Sequence, residues 1–269
     1  MILRKRPPFY RRQPVLLLGA GLVALAMVAV VVFLVRGGDD GRMAGSAVKE
    51  KTPTQSESGT ADGPDETLRM KANQATINLE ELPLTYQVDV PNTFAMTVST
   101  FASSYWFRGS GEGEELAEDW RIYDGFQVYY QPKGLAAEVL SGSPFVRVET
   151  YVFIDQEGAR KAWAHLDDLM KRTAGSEAVE ARPLANNWGA YRYYSGTVGS
   201  SETVAVFHRF SFRRGNVIVS VQTWGADPFM NIDPARNIAA AIDDKLLGTR
   251  PAVEPTPLPT PSFPGLGSN

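Results

Sequence analysis

The chain contains no cysteine among its 269 residues, and this absence excludes several classes of protein. Without thiols there can be no disulfide staples, Cys-rich zinc sites, iron–sulfur clusters or thiol catalysis. Processing as a lipoprotein is excluded for the same reason. An exported domain of this chain must therefore be stabilised by its own hydrophobic core.

Histidine is almost as scarce, and the usual catalytic motifs are missing. Only His165 and His208 occur, and neither has a carboxylate at metal-ligand spacing. The chain has no GxSxG elbow and no SxxK motif. The acidic pairs Asp167-Asp168 and Asp243-Asp244 cannot converge on one substrate atom, because adjacent helical residues point about 100° apart. We therefore predict no enzyme activity, no catalytic residue, no metal and no cofactor.

Positive charge is scarce after the N-terminus. The first fourteen residues hold five of the 27 basic residues and none of the 30 acidic ones, so the rest of the chain carries a net charge of −8. Nucleic acids bind clustered lysines and arginines, so a nucleic-acid partner is not expected. The same balance disfavours adhesion to anionic lipid headgroups.

The strongest signal that is present is an uncharged apolar run at residues 15–35. A helix of this length rises about 30 Å and crosses the hydrocarbon core of a bilayer. Basic residues precede the run, so we predict a cytoplasmic stub at 1–14 and an extracytoplasmic remainder, anchored by one uncleaved span. The alternative is a cleaved signal peptide, whose apolar region is usually about 7–15 residues long. The GxGxxA pattern at 19–24 does not indicate a dinucleotide site, because the helix that follows it lacks a polar face.

Polar segments flank the part of the chain that can fold. Residues 36–77 are rich in Gly, Ser and Thr and nearly free of aromatics, which predicts a flexible extracytoplasmic stalk. Residues 250–269 are rich in proline, which predicts an extended tail with a polyproline bias. Such a tail can be a ligand for a proline-binding module, a wall-spanning segment or an unselective disordered end.

Residues 78–249 form the predicted globular domain, which is of normal size for a single core. One helix is predicted to begin after Asp155 as N-cap and to run to Gly175. Another has Asp233 as its predicted N-cap and Pro234 at its first helical position. Both sequences place apolar residues at helical spacing, which predicts one buried stripe on each helix.

Alternating β-branched and aromatic residues predict the strands of this domain. The expected strands are 126–131, 145–154, 188–195, 203–213 and 216–224. A tight hairpin turn is expected at Arg214-Gly215, where glycine supplies the positive φ. The order of elements predicts an α+β fold, an antiparallel sheet with the two main helices packed on one face.

Two smaller features complete the prediction. The Gly-rich run 109–113 lacks the lysine of a phosphate-binding loop and is followed by acidic residues, so we expect a surface loop before a short helix at 114–122. His208 shares strand parity with apolar residues, which predicts a structural histidine with satisfied hydrogen bonds. His165 is expected at the edge of the buried helical stripe or in solvent.

Four strings carry a resemblance to a group of bacterial proteins: EELAEDWRIYDGFQVYY, VRVETYVFIDQEGARKAW, FRRGNVIVSVQTW and NIDPARNIAAAIDDKL. They resemble extracytoplasmic domains of bacterial envelope proteins that have no assigned function, over most of residues 110–248. The shared motifs are helix caps and a hairpin turn. The resemblance therefore implies a fold and no site residues.

Aromatic residues on the strands are the candidate binding residues, because adjacent strand positions face opposite sides and some rings should be exposed. The candidates are Tyr130, Trp188, Tyr191, Tyr193, Tyr194 and Trp224. Exposed Tyr and Trp suit recognition of an envelope protein or a glycan, although the same rings also suit a core. We predict a membrane-anchored, extracytoplasmic binding or sensory module of the bacterial envelope. A purely structural envelope component and an extracytoplasmic hydrolase are the alternatives.

Overall fold

The structure, a computed structural model, describes residues 67–253 except 105, 108, 135–138 and 200. The predicted cytoplasmic stub, the membrane span, the stalk up to residue 66 and the Pro-rich tail from residue 254 lie outside the described residues. Among the helices of the described part, none is both long and apolar enough to cross a bilayer.

An antiparallel sheet of eight strands organises the domain. Its strands are β1 (Tyr86–Val88), β2 (Phe94–Met96), β3 (Ile122–Pro132), β4 (Phe145–Phe153), β5 (Glu177–Ala178), β6 (Asn187–Thr197), β7 (Val204–Arg214) and β8 (Val217–Ala226). The spatial order is β1-β3-β4-β8-β7-β6-β5. Strand β2 pairs with residues 125–127 of β3, and β1 pairs with residues 130–132 of the same strand. All pairs are antiparallel, which confirms the predicted sheet type.

Val139 and Leu140 are helical, and four further α-helices are described in full. They are α1 (Val98–Ala102), α2 (Ser110–Asp119), α3 (Gln156–Arg172) and α4 (Asp233–Leu246). The cap of α3 is as predicted, because an Asp155 carboxylate oxygen accepts a hydrogen bond from the Gly158 amide at 2.9 Å. The N-cap predicted for α4 is wrong by one residue. Asp233 lies inside the helix, Ile232 is the cap, and the Asn231 side chain accepts from the Asp233 amide.

The predicted hairpin between β7 and β8 is present. Arg214 pairs with Val217, and the two residues between them form the turn. Gly215 adopts φ of +54°, a conformation that glycine reaches without steric cost. This hairpin places the two most deeply buried strands at the centre of the sheet.

The two main helices pack on opposite faces of the sheet, so the prediction of a single helical face is wrong. On β8, Val217 and Val219 pack with the buried residues of α4, whereas Ile218 packs with those of α3. Every residue of β7 after Val204 is buried, and so is almost all of β8. A strand that is apolar on both sides needs a covering layer on both sides. We call these surfaces the α4 face and the α3 face.

The Gly-rich run 109–113 belongs to a helix, which corrects the prediction of a surface loop. Helix α2 begins at Ser110 and already includes Gly111 and Gly113. A Cβ built on Gly113 would meet the Ala102 carbonyl oxygen of α1 at 2.2 Å. Glycine is therefore required here by close packing between two helices, and it does not mark a loop.

The globular domain begins earlier than residue 78, because the end of the predicted stalk lies in the core. Ala72, Ala75 and Ile77 are buried with the residues of the α4 face. Side chains from the sheet and from α4 hold the backbone of this segment. The Leu68 amide donates to Asn216 Oδ1 (2.6 Å), and the Ala72 amide donates to Asp124 Oδ2 (2.8 Å). Three backbone carbonyls accept from side chains: Ala75 from the Thr150 hydroxyl (2.6 Å), Thr76 from Lys245 Nζ (2.6 Å) and Ile77 from the Tyr130 hydroxyl (2.7 Å). The polar composition of this segment predicted a stalk, because composition does not reveal that side chains elsewhere in the domain bind its backbone.

Candidate binding face

The α3 face has a covered end and a partly open end. Helix α3 covers the end that carries Tyr151 and Ile218, where Phe101 of α1 and the tryptophans on either side of α2, Trp106 and Trp120, also pack. Further along the strands, two rows of side chains run across the sheet. The first row is Tyr129, Arg147, Gln222, Arg209 and Tyr191, and the second is Phe145, Trp224, Phe207 and Tyr193.

The second row is a continuous stack of four aromatic rings, which we call the aromatic stack. The ring centroids are 4.0 Å apart for Phe145 and Trp224, 5.5 Å for Trp224 and Phe207, and 4.8 Å for Phe207 and Tyr193. The interplanar angles are 7°, 20° and 7°. These spacings match the distance between neighbouring strands, about 4.8 Å. The rings therefore stand side by side, and their faces contact one another.

Exposure of the aromatic stack is intermediate. Phe145, Trp224 and Tyr193 are half-buried, and Phe207 is buried at 7% exposure. The rings also pack against buried Val139, Val198, Ala205 and Ala226, so solvent reaches only part of the stack. Aromatic edges carry the positive part of the quadrupole and attract electron-rich groups such as carbonyl oxygens.

Two tyrosine hydroxyls lie beside the stack and are held by neighbouring donors. The indole Nε1 of Trp224 donates to the Tyr129 hydroxyl at 2.9 Å. The side-chain amide of Gln222 donates to the Tyr193 hydroxyl. Tyr129 reaches in from β3 and Tyr193 from β6, so both hydroxyls approach the central strand β8 from opposite sides.

Burial keeps both phenols protonated. It raises the pKa of Tyr129 to about 12, against the smaller opposing effect of the Trp224 N–H, and Asp89 nearby also raises this pKa. Burial likewise raises the pKa of Tyr193, although Arg209 and Arg147 lower it. At neutral pH both groups can therefore act as hydrogen-bond donors.

Charged side chains lie under and beside these hydroxyls. Arg147 donates to Glu149 at 2.5 Å and to Gln127 at 3.1 Å. Arg209 donates to the Gln222 carbonyl oxygen at 3.2 Å and approaches Met170 of α3. The bond from Arg209 fixes the orientation of the Gln222 amide, so its NH₂ group points to Tyr193. The two tyrosine hydroxyls are therefore positioned by a buried polar layer.

Only some of the predicted aromatic candidates lie on this face. Tyr193 and Trp224 belong to the aromatic stack. Tyr130 and Tyr191 are buried at 1% and 3% exposure, so neither is available at a surface. Tyr130 is in the α4-face core, and Tyr191 donates to Asp167 of α3.

The other two candidates lie on the α4 face. Trp188 is half-buried there and stacks on Phe210 at 5.9 Å. Tyr194 is 47% exposed and lies under the Arg192 guanidinium. The six candidates are therefore divided between two faces, and the structure does not bring them together. The reason is that both faces of the sheet are packed against other elements, so aromatic side chains are needed on both.

The sequence pattern did not single out four residues of the candidate face, namely Phe145, Arg147, Phe207 and Gln222. Each lies on a predicted strand, but the strand register was unknown. With β4, β8, β7 and β6 aligned, parity alone would have placed Phe145, Trp224, Phe207 and Tyr193 in one row. The strand order was the missing information.

Both histidines lie away from the candidate face. His208 is buried on the α4 face at 4% exposure, as its strand parity predicted. Its Nδ1 has no hydrogen-bond partner among the described residues, so the expectation of a fully satisfied histidine is wrong. His165 lies at the edge of the α3 stripe, where Nε2 contacts the Trp106 carbonyl oxygen at 2.6 Å. Across the described ranges, no three His, Asp or Glu side chains are grouped so that they could hold a metal ion.

Comparison with known proteins yields little that bears on this face. No known protein family matches the chain, and no curated protein matches it. A solved structure, the extracellular domain of PknH from Mycobacterium tuberculosis, gives a TM-score of 0.38 at 16% identity. That alignment covers 65% of this chain and 93% of the PknH chain. A likeness of this degree leaves the function to be argued from the residues of the chain itself.

Proposed function

We propose that this protein is a membrane-anchored, extracytoplasmic binding or sensory module that captures its ligand on the α3 face, at the aromatic stack. The stack carries the proposal, because three of its four large rings keep part of their surface exposed while they pack against a small buried cluster. Large aromatic side chains with a polar handle are enriched at recognition surfaces. The uncharged run 15–35 and the basic residues before it support the anchored topology.

The arrangement of the polar groups supports binding rather than simple core packing. Tyr129 and Tyr193 stay protonated, and each is oriented by a donor that itself belongs to the sheet. Arg209 and Gln222 form a buried layer beside them, so the two hydroxyls are preorganised. Preorganised donors lose little conformational entropy when a ligand binds.

A photocrosslinking experiment in living cells tests the binding face. p-Benzoylphenylalanine replaces Phe145 at the end of the aromatic stack, and the control carries it at Tyr123, which is 70% exposed and lies outside the stack. We expect a light-dependent adduct from position 145 and none from position 123. The absence of adducts, or equal adducts at the two positions, would remove the proposal.

A cysteine-accessibility experiment tests the topology. The natural chain has no cysteine, so a single Thr249→Cys variant carries one reactive thiol. A membrane-impermeant maleimide should label it in intact cells, whereas a Gln13→Cys control should be labelled only after lysis. Labelling of Gln13→Cys alone in intact cells would reverse the proposed orientation.

A further inference from the structure

Three buried polar atoms without a hydrogen-bond partner lie in one row across the α4 face. They are Thr223 Oγ1 of β8, His208 Nδ1 of β7 and Arg192 Nε of β6, and none of them has a partner in the described part of the chain. His208 is paired with Thr223 on one side and with Arg192 on the other. We call these three residues the polar row, and the histidine is its centre.

The two inner members of the polar row are deeply buried. Thr223 is 0% exposed and His208 is 4% exposed, whereas Arg192 reaches the surface and donates to Glu177 at 2.6 Å. A buried polar atom without a partner destabilises the folded state, because folding removes its hydrogen bonds to bulk water. In native proteins the great majority of such atoms are bonded, either to a protein atom or to an ordered water. The polar row therefore calls for a small polar ligand.

Strand pairing sets the size of this ligand. Directly opposed residues of antiparallel strands have Cβ atoms about 4.5–5.5 Å apart. His208 and Thr223 are opposed in this way, yet no hydrogen bond joins their side chains. One water molecule with two hydrogen bonds of about 2.8 Å spans polar atoms up to about 5.6 Å apart. A single water therefore matches the spacing that this pairing produces.

The donors and acceptors of the polar row also match a water. A neutral imidazole has one accepting nitrogen, so a water can donate to His208 Nδ1. The water oxygen can accept from the Thr223 hydroxyl and from Arg192 Nε, which only donates. Internal waters typically make about three hydrogen bonds, and the row supplies that number. Burial, aided by the positive charge of Arg192, lowers the pKa of His208 to about 4, so the imidazole is neutral at neutral pH.

An ion fits the polar row less well than a water. Arg192 repels a cation, and none of the three residues is a carboxylate. An anion would lose its hydration beside the uncharged Thr223 and His208, which is costly in a buried site. The positive charge of Arg192 is already paired with Glu177, and the negative charge of Asp227 acts on His208. Both effects oppose an anion.

We infer that the polar row binds an ordered internal water molecule, which bridges Thr223 Oγ1 and His208 Nδ1 and has Arg192 Nε as its third partner. This site lies on the α4 face, whereas the aromatic stack lies on the α3 face. The inference therefore goes beyond the proposed function and does not depend on it. The water completes the hydrogen bonding between β6, β7 and β8 at this row, so we expect it to stabilise the domain.

Replacement of Thr223 by valine tests the bridge through the sign of its effect on stability. Valine has nearly the shape of threonine but lacks the hydroxyl. If the hydroxyl binds the water, Thr223→Val removes a hydrogen bond and should lower the Tm of the full chain in lipid nanodiscs by about 2–4 °C. If the hydroxyl has no partner, the same change removes a buried unsatisfied group and should raise the Tm.

Thr150→Val is the matched control for this measurement. Thr150 is also 0% exposed on the α4 face, and its hydroxyl donates to the Ala75 carbonyl oxygen at 2.6 Å. Loss of this hydrogen bond should lower the Tm by a similar amount. The inference expects the two valine variants to shift the Tm in the same direction.

Solid-state NMR of the full chain in lipid detects the water directly. The chain has only two histidines, so ¹⁵N-histidine labelling gives two sets of ring signals, and His165→Gln identifies the set of His208. Magnetisation transferred from water should reach the His208 ring, although this side chain is buried. The transfer should persist in Thr223→Ser, which keeps the hydroxyl, and should be lost in Thr223→Val.

Each outcome supports or overturns the inference. An unchanged or higher Tm in Thr223→Val would overturn it, because the hydroxyl then has no partner. A lower Tm without transfer from water to the His208 ring would assign the bond to another group and overturn it as well. If Thr223→Val does not fold, transfer in both the natural chain and Thr223→Ser supports the water, and its absence from either overturns it. Adducts from position 145 bear only on the proposed function.

Discussion

Two glycines of α2, separated by one residue, give opposite expectations for the same substitution. A Cβ on Gly113 would lie 2.2 Å from the Ala102 carbonyl oxygen and 2.6 Å from the Ala102 Cα. A Cβ on Gly111 would meet nothing within 4 Å. Gly113→Ala should therefore destabilise the domain, and Gly111→Ala should stabilise it.

The size of the Gly113→Ala effect follows from what must move. Real Cβ atoms rarely approach other atoms closer than 3.4 Å, so α1 and α2 must separate by about 1 Å. That movement disturbs Phe101 of α1, which is fully buried and packs on Tyr151 with centroids 5.2 Å apart. Overpacking of this kind costs about 1–3 kcal/mol. Improved helix propensity offsets up to about 1 kcal/mol of this cost.

Thermal unfolding followed by circular dichroism measures both effects. In a domain of this size, 1 kcal/mol changes Tm by about 2–4 °C. We expect Gly113→Ala to lower Tm by about 3–8 °C, and Gly111→Ala to raise it by about 1–3 °C. Equal shifts of the same sign would refute the packing argument, because helix propensity alone would then explain both variants.

Three further predictions concern the α4 face and its N-terminal segment. Burial lowers the pKa of His208 from 6.5 to about 4, so protonation of this side chain favours unfolding. The free energy of unfolding, measured by urea denaturation, should therefore fall as the pH decreases from about 6.5 towards 4. It should fall less steeply in the His208→Gln variant. Arg214 and Asp243 form a buried ion pair, so Asp243→Ala should cost about 3–5 kcal/mol, and adding Arg214→Met should recover most of the loss in a double-mutant cycle. Asn216→Ala removes the side chain that binds the Leu68 amide, and it should speed proteolysis near residue 68 without abolishing the fold.

Local features were predictable because their causes are local. The α3 cap depends on Asp155 and an amide three residues away, and the β7–β8 turn depends on a glycine with positive φ. The misplaced cap of α4 shows the limit of this approach. Asn231 and Asp233 are both good capping residues, and the chain uses Asn231 to bind the Asp233 amide.

The sequence did not predict which aromatic residues lie together. Aromatic residues on strands suggested recognition, and of the six candidates the structure brings Tyr193 and Trp224 into the aromatic stack. Tyr130 and Tyr191 carry the same sequence signal but are buried. Adjacent strand residues point to opposite faces of the sheet, and the sequence does not show which face is covered well enough to bury a ring.

By itself, the sequence determined that this chain has no thiol chemistry, that one long apolar run precedes a mainly acidic remainder, and that a domain of antiparallel strands and capped helices follows. These conclusions rest on composition and on contacts within a few residues, which any fold of this chain must respect. Tertiary structure alone decided that α3 and α4 cover opposite faces and that residues 68–77 belong to the core. It alone brought Phe145, Trp224, Phe207 and Tyr193 into one stack, because strand order and register join residues far apart in the chain.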